Sequence, residues 1–233
     1  MDYTRYLDWI TFHITTKKNQ LVNSVKFNCY PDPFETILVD PTQIEYSTLG
    51  LEHIDSKGIG RVEGGEWDMD TAKVETYWVV QGLYERFEGG NDWKNTIYYE
   101  TAKSKFEQNP ETTVRGATSL EEFLTERCTF VERLYNDIKE NGYKTVDDDT
   151  EIFRGHYKDN LEILVAIGRN GELYMHKGGF HRFTLARILG IMVPVHVVCR
   201  HKQWQTIRDE ICSQGIENYT HLQDHPDIQD ILN

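Results

Sequence analysis

The sequence predicts an α+β fold (mixed α/β), a small mixed sheet packed by helices and interrupted by a helical insertion. Three observations predict it. ILVAI (163–167) and ELYMH (172–176) flank Asn170-Gly171, the strongest short signal for a hairpin. Ser119 and Glu122 form a capping box ahead of apolar residues at three- and four-residue intervals, from Leu120 through Val131 to Ile138, and Gly142 ends the pattern. Beyond the hairpin, a helical stretch from about His181 to Leu189, a strand VPVHVVC and a helix from about Lys202 to Ser213 follow in order.

The remaining elements read in chain order. From Asp2 to Ile14, Tyr6, Trp9, Ile10 and Phe12 fit a short helix loosely, as in a surface appendage. FETILVDP (34–41) alternates and stops at Pro41, the pattern of a strand closed by a turn. KGIGRVEGGEWDMD, with glycines at 58, 60, 64 and 65, reads as loop. Two helices follow, one carrying Val74, Tyr77, Trp78, Leu83, Tyr84 and Phe87 and ended by Gly89 and Gly90, the other running from Asp92 to about Gln108. An acidic DDDTE loop separates the helix of the capping box from the hairpin.

At 233 residues and 39% hydrophobic, the chain is long enough for one large domain or one domain with an appendage. Cys29, Cys128, Cys199 and Cys212 lie far apart without a CxxC pair, which favours reduced thiols and a cytoplasmic protein. No apolar run approaches the roughly 20 residues of a membrane span. A net charge of -13 disfavours general nucleic-acid binding except through a local basic patch.

Such a patch exists. Between Arg169 and Arg208 stand seven Lys or Arg and a single acid, Glu172, a local balance of +6. Within it, HKGGFHRFTLARILG passes from a strand through Gly178 and Gly179 into a helix. Backbone N–H groups at a helix start lack partners and favour anions, and glycines let a ligand approach the main chain. Arg182, a cation in a first turn, opposes the helix dipole unless an anion is present. The pattern predicts a phosphate-binding set of Lys177, Gly178, Gly179, His181, Arg182, Arg200 and Lys202, with His201 nearby. On spacing alone, a simple chain turn with Arg182 paired to a carboxylate explains the same residues.

VERLYNDIKENGY followed by ILVAIGRNGELYMHKGGFHRFTLARILGIMVPVHVV resembles the ParB/sulfiredoxin superfamily, and ILVDPTQI resembles its opening strand and turn. The resemblance covers about half of the chain and divides it into an N-terminal appendage (1–30), a ParB/sulfiredoxin-like domain (31–55 and 119–213), a mainly helical insertion (56–118) and a C-terminal tail (214–233). It implies that Gly178, Gly179, His181 and Arg182 hold the phosphates of a nucleotide, ATP or CTP, with or without Mg2+, in an NTP hydrolase, a phosphotransferase or a binder. Phe180 stands where the sulfiredoxin branch places its catalytic cysteine, so sulfinic-acid reduction is not expected. Only 31 residues follow Lys202, too few for the helix-turn-helix DNA reader of partition proteins.

Asp68 and Asp70, with Glu63 and Glu66 nearby, and His181 are the catalytic candidates, as magnesium ligands or a general base. The alternative for Asp70 is a helix N-cap ahead of Thr71. His176, His196 and His201 show no recognised ligand spacing, and Cys199 among valines reads as a buried hydrophobe, so no metal site and no thiol nucleophile is expected. Two other function classes stand beside the nucleotide reading. One is a nucleic-acid-binding regulator or nuclease using the basic patch; the other is a non-catalytic interaction module that presents the aromatic residues from Trp67 to Phe106 to a partner.

Overall fold

The computed structural model describes residues 3–51, 54, 58–145 and 161–232. The DDDTE run lies outside the described residues. In chain order the regular elements are α1 (Tyr3–Lys26), β1 (Ile37–Val39), β2 (Tyr46–Thr48), β3 (Arg61–Glu63), β4 (Thr71–Lys73), α2 (Trp78–Phe87), α3 (Ile97–Gln108), α4 (Leu120–Glu122), α5 (Thr129–Asn141), β5 (Ile163–Ile167), β6 (Leu173–Met175), α6 (Phe180–Leu189), β7 (Val193–His201), α7 (Lys202–Gln214) and α8 (Gln229–Leu232). The α+β class is therefore shown. Among the described residues no helix is long and apolar enough to cross a membrane.

The seven strands form one mixed sheet in the order β1-β7-β5-β6-β2-β4, with β3 also on β7. β5 and β7 run parallel, from Ile163 opposite Val195 to Ile167 opposite Arg200. The predicted hairpin is present as the antiparallel pair β5 and β6, closed where Gly168 N donates to Glu172 O at 2.8 Å and Gly171 takes a φ of 95°. Both faces of β5 are buried: Ile163, Val165 and Ile167 face one core with Phe183, Trp204 and Ile228, while Leu164 and Ala166 face another with Phe12, Ile59 and Trp67. A strand covered on both sides needs no polar alternation, which is why ILVAI is uniformly apolar.

A third core joins α2, α3, α5 and α6 through Val79, Leu83, Tyr98, Phe106, Phe123, Val131 and Leu185. Thr96 caps α3, and Ser119 Oγ accepts from Glu122 N at 3.1 Å. The reciprocal bond of this capping box goes one residue further out, since Thr118 N donates to Glu122 Oε2 at 2.6 Å. Between α4 and α5 the helix widens into a π-helical stretch, Phe123–Cys128.

Three expectations are corrected. The N-terminal segment is a 24-residue helix stitched to the sheet rather than a short appendage, because its inward face is polar as well as apolar. Phe12 and Thr16 are buried, Asn19 Nδ2 donates to Ile59 O at 2.9 Å, and Asn23 Nδ2 donates to Gly60 O at 3.1 Å. Within the mainly helical segment 56–118, the glycine-rich run is not all loop, since Arg61–Glu63 forms β3 on β7, and β4 follows it on β2. The C-terminal segment is no free tail either, since Asp227 and Ile228 are buried in the domain.

The expectation of four reduced thiols is also corrected. Cys29 and Cys212 form a disulfide with Cα atoms 6.2 Å apart, while Cys128 and Cys199 are free and buried. Burial pushes the Cys128 thiol up to about 12 and raises that of Cys199 too, so neither is poised as a thiolate.

Candidate functional site

The predicted turn into α6 is built as the glycines imply. Gly178 and Gly179 take φ values of 108° and 75°, a region that L side chains rarely adopt, and Gly179 occupies the N-cap position without a side-chain cap. A Cβ on Gly179 would stand 3.0 Å from the Cα of Ile163, so glycine also lets the turn press against the start of β5. Phe183 N returns to Gly179 O at 2.9 Å. Among the described residues, the amides of Gly178, Gly179 and Phe180 receive no hydrogen-bond partner. Lys177 stands exposed just before them.

Arg182 and His181 then diverge to opposite sides of the first turn. Arg182 Nη1 donates to Glu162 Oε2 at 3.0 Å and its Nη2 to Leu161 O at 2.7 Å. Glu162 is buried and also accepts from the Tyr143 hydroxyl at 2.7 Å, while its backbone N donates to His196 Nδ1 at 3.1 Å. Burial raises the Tyr143 phenol, which stays protonated and able to donate. The arginine offered to a ligand by the sequence is therefore held by a carboxylate, the simpler of the two readings its spacing allowed.

His181 is buried against α3. Its Nε2 lies 2.8 Å from the Tyr98 hydroxyl, and Arg127 Nη2 lies 3.1 Å from its Nδ1. Burial, then the charges of Arg127 and Arg115, hold its pKa well below the ordinary value of 6.5, so the imidazole is neutral at neutral pH. Arg127 Nη2 also lies 3.2 Å from Nε2, and since an arginine can only donate, the neutral imidazole meets it with its unprotonated nitrogen. Arg127 projects from the π-helical stretch, a deformation that recurs at functional sites.

Arg200 and Lys202 do not join the turn, and neither does His201. The parallel register sets Ile163, beside Gly179, opposite Val195, and Ile167 opposite Arg200. Five residues of strand separate the two ends, about 16 Å at 3.3 Å per residue. Arg200 is buried and bonded to Asp227 through Nε at 3.0 Å and Nη2 at 2.5 Å, and Lys202 is exposed at the start of α7. His201 caps that helix by accepting from Gln203 N at 3.1 Å.

Asp68 and Asp70 also lie away from the glycine turn. Asp68 accepts from Arg169 Nη2 at 2.7 Å and Arg169 N at 3.0 Å, beside the far end of the β5–β6 hairpin. Burial opposes its ionisation, but the bonds from Arg169 outweigh it and lower its pKa, so it is a clamp carboxylate. Asp70 ends a 3-10 turn (Trp67–Met69) and its carbonyl pairs with Leu49 N at 2.9 Å; the next element is β4, so it caps no helix. Asp68, Asp70 and His181 thus form no common catalytic group.

Sequence reasoning missed Glu162, Tyr143, Tyr98 and Arg127. Glu162 carried a usable signal, a lone acid between Leu161 and the apolar run that begins at Ile163. The others sit in helical patterns or at a helix end, where nothing local distinguishes them from core or surface. In comparisons with known proteins, no family model matches the chain, no curated protein matches it, and no solved structure matches it.

Proposed function

We propose that the protein binds a phosphate-bearing ligand, a nucleotide such as ATP or CTP, at the start of α6, and that it is a binder rather than a hydrolase or phosphotransferase. The observation that carries this reading is the Gly178-Gly179 pair, whose left-handed backbone leaves successive amides without partners among the described residues at a helix N-terminus. The order of elements supports the likeness to the ParB/sulfiredoxin superfamily: a helix ended by Gly142, a hairpin, the glycine turn, α6 and a strand opening Val193-Pro194-Val195. The binding groups in this reading are main-chain amides, because Arg182 is committed to Glu162.

Catalysis has less support. Asp68 is committed to Arg169, and Glu162 is committed to Arg182 and Tyr143. Asp68 and Asp70 do not fit a magnesium ion beside the turn, so any such ion would arrive with the ligand's phosphates. The interaction-module reading is weakened by the internal use of the aromatics from Trp67 to Phe106, with Trp78 stacked on Tyr98 and Phe87 on Tyr135.

The test is a 15N-resolved NMR titration with ATP, CTP and inorganic phosphate, with and without magnesium. Shifts led by the amides of Gly178, Gly179 and Phe180 are expected. Saturable binding that leaves these amides still, or no binding, refutes the assignment.

A further inference from the structure

Among the described residues, seven arginines have a carboxylate within ion-pair distance: Arg61, Arg86, Arg169, Arg182, Arg187, Arg200 and Arg208. Arg115 has none among the described residues, as is also true of Arg127 and Arg133, although the chain carries 38 acids. Its backbone is unusual too. Val114 and Ala117 exchange two backbone hydrogen bonds, of 2.9 and 3.1 Å, across a two-residue turn in which Arg115 takes a φ of 54° and Gly116 one of 90°. Arg115 is the single non-glycine residue with positive φ among the described residues. Asparagine or glycine is the ordinary occupant of such a position, so an arginine there is held against local preference.

The turn sets the guanidinium over a cleft of about 480 Å³ between α2 and α3, lined by Tyr77, Trp78, Lys105 and Arg115 together with Gln108, Asn109, Thr112 and Thr113. Arg115 Cζ lies 5.4 Å from the centroid of Trp78 and 5.8 Å from that of Tyr77, and it donates to the Tyr77 hydroxyl. Lys105 Nζ lies 5.5 Å from the same indole. Tyr98 stacks on that indole at 5.2 Å, so the ring is fixed from behind and both cations gather about it. Two like charges at one ring repel, and the cleft lining holds no carboxylate to relieve them. The remaining groups, hydroxyls and side-chain amides, are suited to the outer oxygens of a tetrahedral anion.

We infer that this cleft is an anion site for the phosphoryl group of a small molecule, with Arg115 and Lys105 as its charged contacts and Trp78 as its wall. The cleft's charged contacts are side chains of the insertion, whereas the turn offers main-chain amides of another segment, and the two meet only where Tyr77 packs on Phe180 at 4.5 Å among the described ring contacts. Both cationic residues are exposed, so their replacement leaves the core intact.

The experiment is calorimetry with inorganic pyrophosphate at constant ionic strength, repeated with citrate, on the wild type and on Arg115→Asn and Lys105→Gln. Asparagine tolerates the left-handed turn, so Arg115→Asn removes the charge without a new strain. The wild type is expected to bind pyrophosphate saturably, and each variant to lose about tenfold or more in affinity. Pyrophosphate binding weakened by less than about threefold in both variants overturns the proposal while leaving the α6 reading standing. No saturable binding by the wild type also overturns it, and so does citrate binding at least as tightly as pyrophosphate.

Discussion

Arg182 and Glu162 form an ion pair of 3.0 Å between the first turn of α6 and the residue that leads into β5, with the Tyr143 hydroxyl on the same carboxylate oxygen. The pair locks the glycine turn against the sheet. Replacing Arg182 by Met strands a buried carboxylate, while the double replacement with Glu162→Gln removes both charges. The single variant is expected to lose about 2–4 kcal/mol, below the cost of a fully enclosed pair because the arginine side chain is 25% exposed. The double variant should lose less than the single one. Urea denaturation of both proteins measures the difference, and equal losses would show that the pair does not govern the site's stability.

Asp227 sits between two guanidiniums, accepting from Arg200 Nη2 at 2.5 Å and lying 3.3 Å from Arg208 Nη1, with Trp204 Nε1 donating at 2.8 Å. Burial alone would raise its pKa, but Arg200 and Arg208 prevail and hold it down to about 2. Asp227→Asn leaves the buried Arg200 without its carboxylate and Arg208 with Asp230 alone, and is expected to cost about 3–5 kcal/mol. A depressed carboxylate contributes stability that is complete above its unfolded value and fades as pH falls from about 3.8 through about 2. Thermal melts across that window should show the wild type losing stability on acidification more steeply than the variant.

The neutral His181 has the opposite chemistry but the same direction with acid. Its folded pKa lies below 6.5 through burial, Arg127 and Arg115, so the unfolded chain takes up a proton first as pH falls. Stability contributed by this site is complete above about pH 6.5 and declines below it. His181→Gln, which keeps hydrogen-bonding capacity for Tyr98 and Arg127, should flatten the slope of stability against pH between about 6.5 and 5. His225 is depressed by burial as well and leaves a residual slope. An unchanged slope in the variant would contradict the assignment.

The Cys29–Cys212 bond closes a loop of 183 residues in sequence separation. Cross-links over long loops restrict the unfolded chain strongly, so reduction or Cys212→Ser is expected to cost about 2–4 kcal/mol. Peptide mapping without reductant should recover the linked pair, whereas quantitative alkylation of all four cysteines in the unreduced, unfolded protein would exclude it.

Local features were legible in the sequence and distant pairings were not. The Asn170-Gly171 hairpin, the Ser119-capped helix and the strand from Val193 are encoded by neighbours in the chain and stand where the pattern places them. The inward face of α1 uses Thr16, Asn19 and Asn23, whose partners Ile59 and Gly60 lie about forty residues on, so hydropathy periodicity could not show it. β3 and β4 are three residues each and exist through pairing with β7 and β2. At the site, the glycine conformations followed from residue type. The convergence of Arg200 and Lys202 did not, because parallel pairing of β5 with β7 separates residues that share one charged stretch of sequence.

The dependence of β7 on Asp227 orders events during synthesis. Arg200 stands near the C-terminal end of β7, and its counter-ion is encoded 27 residues later. A nascent chain that has just exposed β7 to solvent must hold that guanidinium hydrated, with the strand undocked, until translation has delivered the acid. Docking of β7 is thereby tied to a segment made after it, and a ribosome-stalled intermediate ending before residue 227 should remain protease-sensitive along β7.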